Sequence, residues 1–511
     1  MPDGVPGHKT KALSELSGIV RDLQSQGKTV ALCHGVFDLL HPGHIRHLQA
    51  AKRQADILLV TITRDEHVAK GPGRPAINHW LRCESIAAIE YVDYVALSDW
   101  PTAVETIKAI RPNLYVKGRD YSDPKNDLTG AIVDEERAVL SVGGRIVFTD
   151  DVVFSSSNLL NAHFPPYPED SRRFLASFRN KYSSDDIIQR LKNLQTLRVL
   201  VLGDAIIDEY HYCDPLGKSP KENIITTRFI SDEAFPGGVL AAANHLARFC
   251  GQVHLVTCLG GTKSHLEFIQ ARLSPNITTK FFYRPNGPTT VKRRFIDQAF
   301  MRKLFQVSFL ELADLPSDIE REVCDYLVSV VKDYDLVLVT DFGHGFIGRR
   351  IIDVLCDKAR FLAVNAQTNS ENTGFNPITR YSRADYASID EPELRFATRD
   401  RYGELRQLVV SLSEQLGCMK ISVTLGHRGS VVYGKEDDYC VTPVFSTEVL
   451  DTVGAGDAYL AVTAPCVFAG FPSDLVGFIG NAVGALAIRI VGNRTPIEPV
   501  PLFKFITALL A

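Results

Sequence analysis

The chain has 511 residues, room for two large domains or about three of ordinary size at roughly 150 residues each. Hydrophobic residues make up 45% and charged residues 23%, the balance of a soluble globular protein with enough apolar material for a core in each half. Lys and Arg total 56 against 60 Asp and Glu, and the resulting net charge of −4 argues against a general binder of nucleic acid or anionic membrane.

Residues 1–11 are polar with Pro and Gly, so no signal peptide is expected. Helical spacing follows over 9–26. A strand is predicted at 29–33, a helix at 43–53, a strand at 57–63 and a helix at 81–89. Then come a strand at 94–97, a helix at 103–110 and a strand at 114–117. This alternation predicts a parallel sheet covered on both faces. Pro165, Pro166 and Pro168 can continue neither a helix nor a central strand, so a linker is placed at 164–182. Beyond it, Ser184 with Asp185 and Asp186 predicts the cap of a helix over 187–194. Further strands are predicted at 197–203, 253–258, 336–340, 361–364 and 420–424. Residues 459–490, rich in Ala, Gly and Val, read as packed helices. Asn481 and Arg489 interrupt the longest apolar stretch, 475–490, which makes it a buried helix rather than a membrane span. The expectation is an α/β protein of two doubly wound parallel-sheet domains, 1–163 and 183–511. The ten cysteines stand singly with no Cys-x-x-Cys pair, which fits buried reduced thiols and a cytoplasmic setting.

Two strings carry chemistry. The first is His34-Gly35-Val36-Phe37-Asp38-Leu39-Leu40-His41-Pro42-Gly43-His44. A hydrophobic strand ends, the chain turns at Gly35, and Pro42 suits the first turn of a helix. Free N–H groups and the positive dipole end make that helix start a phosphate site, where two histidines can donate to phosphate oxygens. The second is Asp451-Thr452-Val453-Gly454-Ala455-Gly456-Asp457-Ala458. Gly454 and Gly456 let successive N–H groups converge on one anion, and the following helix adds its dipole. Asp457 beside that pocket can take the proton of a substrate hydroxyl.

The first string resembles the nucleotidyltransferase superfamily of cytidylyltransferases and adenylyltransferases, and implies a Rossmann-like domain. Lys70-Gly71-Pro72-Gly73-Arg74-Pro75, Arg82, Lys117 and Ser155-Ser156-Ser157 strengthen the resemblance. They are similar to the nucleotidyltransferase half of bifunctional heptose kinase/adenylyltransferase enzymes. The resemblance implies that His41 and His44 contact a triphosphate and that Lys117 neutralises it. It further implies that Gly35, Phe37, Asp38, Lys70, Arg74, Arg82 and Ser155, Ser156 and Ser157 bind around the nucleotide.

The second string resembles the ribokinase-like (PfkB) sugar kinases, over about 196–500. That resemblance implies Asp457 as catalytic base, and Gly454, Ala455, Gly456, Thr424 and Gly426 around the nucleotide. It implies Asp204, Gly237, Gly238, Asn244 and Asp341 around the substrate, and Glu393 with Asp390 organising Mg²⁺ indirectly. In the heptose enzymes the kinase comes first, so the order here is reversed. The implied reading is a bifunctional enzyme of nucleotide-activated sugar biosynthesis. One domain is an ATP-dependent kinase of a sugar or sugar phosphate. The other joins a sugar 1-phosphate to a second nucleotide, ATP or CTP, and releases pyrophosphate. A homodimer is expected, with small-molecule partners and neither nucleic acid nor membrane. The rival readings are a glycerol-phosphate-type cytidylyltransferase, a nucleoside kinase, and one inactive domain serving as sensor or scaffold.

Overall fold

The computed structural model describes residues 8–68, 70–119, 131–149 and 167–511. The chain divides into two units, Met1–Pro166 with Phe503–Ala511, and Tyr167–Leu502.

The first unit holds strands β1 (Val30–Gly35), β2 (Ile57–Thr63), β3 (Tyr94–Ser98), β4 (Leu114–Gly118) and β5 (Arg145–Thr149), in the order β3-β2-β1-β4-β5. All pair in parallel. The central strands β1 and β2 are buried on both faces, which is why they read as continuous apolar runs. Ala31 and Cys33 face one core while Val30 and Leu32 face the other. The sheet winds one way from β1 to β3 and the other way from β1 to β5, so the crevice between β1 and β4 is its switch point.

The second unit adds β6 (Arg198–Gly203), β7 (Ala205–Lys218), β8 (Ile225–Gly238), β9 (Gln252–Gly260), β10 (Ile277–Arg284), β11 (Thr290–Asp297), β12 (Arg302–Phe309), β13 (Leu336–Asp341), β14 (Leu362–Ala366), β15 (Tyr386–Asp390), β16 (Lys420–Thr424), β17 (Ser430–Gly434) and β18 (Asp438–Thr442). Its large sheet runs β10-β9-β6-β13-β14-β15-β16-β17-β18, parallel as far as β16 and antiparallel for β17 and β18. A second, four-stranded sheet runs β12-β11-β7-β8. None of its strands is among those expected from the sequence.

The fold class is α/β as expected, with three local differences. The helix Glu169–Phe178 lies inside the stretch read as linker. Its Leu175 and Phe178 are buried, Phe178 stacks on Phe478 at 4.4 Å, and Ser171 Oγ donates to the Val444 carbonyl at 2.7 Å. Residues 169–178 of that stretch are therefore an amphipathic helix packed within the second unit. The next helix, Ser184–Asn193, is capped by Ser183, whose hydroxyl accepts the Asp186 N–H at 3.2 Å. The third difference is that Phe503–Ala511 belongs to the first unit. All ten cysteines are free thiols, and among the described residues no helix is long and apolar enough to cross a membrane.

Candidate functional site

Each unit presents one cluster of polar groups at the carboxyl ends of its parallel strands. In the first unit, β1 runs into a turn where Phe37 takes the left-handed conformation, φ 53°. The helix Pro42–Lys52 then starts with Pro42 in its first turn, and His41 caps it, Nδ1 accepting the Gly43 N–H at 3.1 Å. The His41 and His44 rings stack at 3.9 Å, and Phe37 meets His44 edge-on at 5.3 Å. Burial, then the nearby His41 and Lys70, push His44 down to about 3, and burial lowers His41 too. Both imidazoles are therefore neutral at physiological pH, able to donate a hydrogen bond but not to act as cations.

The positive charge comes from elsewhere. Buried Asp38 accepts the Ile77 N–H at 3.0 Å and lies 3.8 Å from Arg74, and burial lowers the nearby Lys70. Gly35 faces the Phe37 ring, which leaves little room for a side chain there. His41, His44, Asp38, Lys70 and Arg74 thus gather beside the switch point. Two expected members serve other partners. Arg82 is spent on protein acceptors: the carbonyls of Ile77 at 2.8 Å, Thr63 at 2.9 Å and Val36, and the Asp65 carboxylate at 2.5 Å. It braces the loops after β1 and β2. Lys117, at the end of β4, is paired with buried Glu135 at 2.9 Å. Ser155, Ser156 and Ser157 lie outside the described residues.

In the second unit, two cavities meet at the glycine loop. A polar cleft of about 310 Å³ is lined by Asp208, Lys292, Arg294, Glu393, Gly454 and Asp457, among others. A more apolar pocket of about 480 Å³ is lined by Gly426, Phe445, Ala455, Tyr459 and Ile488, among others. Thr424, Thr452 and Gly456 line both. Gly454 has φ 82° and immediately precedes the helix Ala455–Phe468. A Cβ on it would overlap Asn493 Oδ1. Asp457 stands in the first turn of that helix, part of its surface open to the cleft. Protein closing around its carboxyl, and then the negative charge of Asp208, raise it to about 7, while Lys292 opposes the rise. Asp390 and Glu393 form a capping box. Asp390 Oδ1 accepts the Glu393 N–H at 2.7 Å, and Glu393 Oε2 accepts the Asp390 N–H at 2.9 Å. Burial and then Asp390 raise Glu393 to about 8.

Three of the expected substrate-side residues stand apart from the cleft. Asp204 Oδ2 accepts the Phe342 N–H at 2.9 Å and holds the loop after β13. Asp341 is fully buried. It accepts from the Tyr381 hydroxyl at 2.9 Å and the Asn376 amide at 3.0 Å, and burial then the Asp204 charge raise it to about 6. Asn244 accepts the Ser274 N–H at 2.9 Å and donates to the Arg272 carbonyl at 3.0 Å. Polar side chains at a strand end, like Asp204 and Asp341, or on a helix, like Asn244, are as useful for tying loops as for binding, and these three tie loops. Of the two glycines, Gly238 lines the cleft, and Gly237 lies so close to Asp208 that a Cβ would overlap the carboxylate.

Asp208, Lys292 and Arg294 are the cleft residues that the motif reading misses. Residues 206, 208 and 210 share one face of β7, and 292 and 294 share one face of β11. The register sets Lys292 opposite Asp208 and Arg294 opposite Tyr210. Arg294 pairs with Asp208, and Lys292 lies 3.7 Å from Glu371. Period-two alternation after Asp204 was the available signal.

Among proteins of known sequence, a family model described as cytidylyltransferase-like matches residues 32–190. The "Bifunctional protein HldE" of Desulfatibacillum aliphaticivorans is 38% identical over 151 residues, 29% of this chain and 29% of that protein. Its namesake from a Nitratiruptor species is 36% identical over 306 residues, 58% of this chain and 63% of its own length. The chain thus spans less than two thirds of either relative. Among solved structures, phosphofructokinase-2 from Escherichia coli in complex with substrates and products shares the fold. Its TM-score is 0.51 at 14% identity, over 61% of this chain and 99% of that one. The model of the pfkB family carbohydrate kinases matches residues 196–499, more than half of the chain and the whole of the glycine-loop region, and the chain belongs to that family.

Proposed function

We propose that this chain is a bifunctional enzyme. Its second unit transfers the γ-phosphoryl group of ATP to a sugar or sugar phosphate. Its first unit joins a sugar 1-phosphate to a nucleoside triphosphate, giving a nucleotide-activated sugar and pyrophosphate. The observation that carries the reading is the meeting of a polar cleft and a more apolar pocket at one glycine loop, with Asp457 on the cleft side. The apolar pocket suits a base and ribose, and the cleft suits a hydroxylated acceptor.

In the second unit Asp457 accepts the proton of the acceptor hydroxyl. Its oxygen bonds to the γ-phosphorus, the bond from that phosphorus to the β–γ bridging oxygen breaks, and ADP leaves. The N–H groups of residues 454–456 and the helix start hold the charge on the phosphoryl group. Lys292 and Arg294 favour an anionic acceptor, a sugar phosphate, over a neutral sugar. Among the described residues no three His, Cys, Asp or Glu side chains gather as a metal cage. The oxygen donors Asp390 and Glu393 nevertheless suit a magnesium ion held mainly by water and phosphates, which would neutralise the triphosphate.

In the first unit an oxygen of the sugar phosphate attacks the α-phosphorus and pyrophosphate departs. Neutral His41 and His44 donate to the phosphate oxygens, and Lys70 and Arg74 offset their charge. Lys117 contributes only after exchanging Glu135 for the nucleotide. A homodimer in the cytoplasm completes the proposal. Exposed Ile225, Phe229 and Phe305 on the small sheet support self-association, which light scattering would test.

The direct test incubates the full chain with sugars, sugar phosphates, glycerol 3-phosphate and nucleosides, with ATP or CTP, and identifies products by mass spectrometry. A phosphorylated sugar and a nucleotide-sugar with pyrophosphate are expected. A phosphorylated nucleoside alone, or a CDP-alcohol alone, would replace the corresponding half of the proposal.

A further inference from the structure

Asp451 opens the glycine-loop string but is itself buried below the loop, 5% exposed. Four donors converge on its carboxylate. Two are backbone: the Val453 N–H reaches Oδ1 at 3.1 Å and the Gly492 N–H reaches Oδ2 at 2.8 Å. Two are side chains of the small sheet: Lys303 Nζ of β12 reaches Oδ1 at 2.7 Å, and the Tyr210 hydroxyl of β7 reaches Oδ2 at 2.6 Å. Burial alone would raise this carboxyl, but the donors outweigh it and hold the group low and ionised. The same small sheet carries Asp208, Lys292 and Arg294 into the acceptor cleft. A second joint lies alongside, where Arg494 pairs with Glu233 of β8. Phe235 of β8 clusters with Val491 and Tyr210.

The cleft therefore has one wall that both touches the acceptor and grips the root of the phosphate loop. An unneutralised carboxylate below that loop would repel a triphosphate, and Lys303 supplies the only full positive charge among these four donors. Building on the kinase reading above, we propose that Lys303 is a positioning residue for phosphoryl transfer. By holding Asp451 together with Tyr210, it sets the N–H groups of residues 454–456 to receive the phosphoryl group when the small sheet is seated on the cleft.

The Lys303 side chain keeps 36% of its surface exposed, whereas that of Asp451 keeps 2%, so a small amine can reach the place of a deleted ammonium. In Lys303→Ala, kcat for phosphoryl transfer should fall about 10- to 100-fold, the scale of a lost hydrogen bond to a charged group. KM for the acceptor should change less. Methylammonium or ethylammonium should restore part of kcat, and Lys303→Arg should retain most of it. Independently of turnover, hydrogen exchange of peptides covering 451–458 should quicken in Lys303→Ala and slow again with added amine. Unchanged kcat together with unchanged exchange would overturn the proposal. So would a loss that amine does not restore, accompanied by a lowered melting temperature in both variants. A wild-type chain that phosphorylates no acceptor overturns the kinase reading instead, and the exchange experiment then decides the Asp451 contact alone.

Discussion

At Asp457 two neighbours of opposite sign tune one proton affinity. The base must be ionised to work, so phosphoryl transfer should rise with pH through about 7, where its carboxyl titrates. Asp208→Asn removes the negative neighbour and should move that acid limb to lower pH, whereas Lys292→Met should move it higher, each by about one pH unit. Rate profiles from pH 5 to 9 read both, and a limb indifferent to either change would remove Asp457 from the base role. His44 makes the complementary case. Its imidazole stays neutral down to about 3, so protonation of this ring should leave nucleotidyl transfer untouched between pH 5 and 8. His44→Ala should still cost on the order of 10²-fold, because a placed donor is lost, and steady-state kinetics should show phosphoryl transfer unchanged. At this scale the sequence was legible where residue type and spacing coincide, as in the two histidines and the glycine loop. It misled where two carboxylates stand four apart. Asp204 and Asp208 flank the start of β7, and only the alternation of that strand tells which one faces the cleft.

The glycine loop and the small sheet behave differently as elements. Gly454 sits at φ 82° with no room for a Cβ beside Asn493. Gly454→Ala combines left-handed strain of roughly 1–2 kcal/mol with that overlap, and should cost phosphoryl transfer about 10²- to 10³-fold, as expected for a spoiled anion hole. Binding of ATP measured by calorimetry, alongside turnover, separates a lost hole from a lost pocket; wild-type turnover would sink the assignment. The large sheet was readable because strands buried on both faces are apolar throughout, β13 from Leu336 to Val339 being fully buried. The small sheet was not. Strands β7 and β8 mix Asp, Glu, His and Tyr with apolar residues, since one face meets the cleft and the other is partly open. The helix Glu169–Phe178 escaped for another reason, because neighbouring prolines outweighed its buried Leu175 and Phe178.

Across the whole chain, the first unit is discontinuous. Phe505, Ile506 and Leu509 are fully buried, and the Phe505 ring sits where a Cβ on Gly71 would be. Leaving such side chains without cover forfeits about 1.5–3 kcal/mol each. Deleting residues 503–511 should therefore lower the melting temperature of the first unit and abolish nucleotidyl transfer, while phosphoryl transfer persists. A truncated chain with both activities intact would contradict this. Fragments cut within 164–182 should behave unequally, since the amino-terminal piece lacks its closing residues.

That discontinuity has a temporal side. During synthesis, the loop around Gly71 leaves the ribosome early, yet its covering side chain at position 505 arrives only after all of residues 167–502 have been translated. The first unit is thus begun before the second and completed after it, and until residue 505 emerges the loop around Gly71 stays without its apolar cover. A chain stopped at residue 502 would carry the whole of the second unit joined to an incomplete first unit.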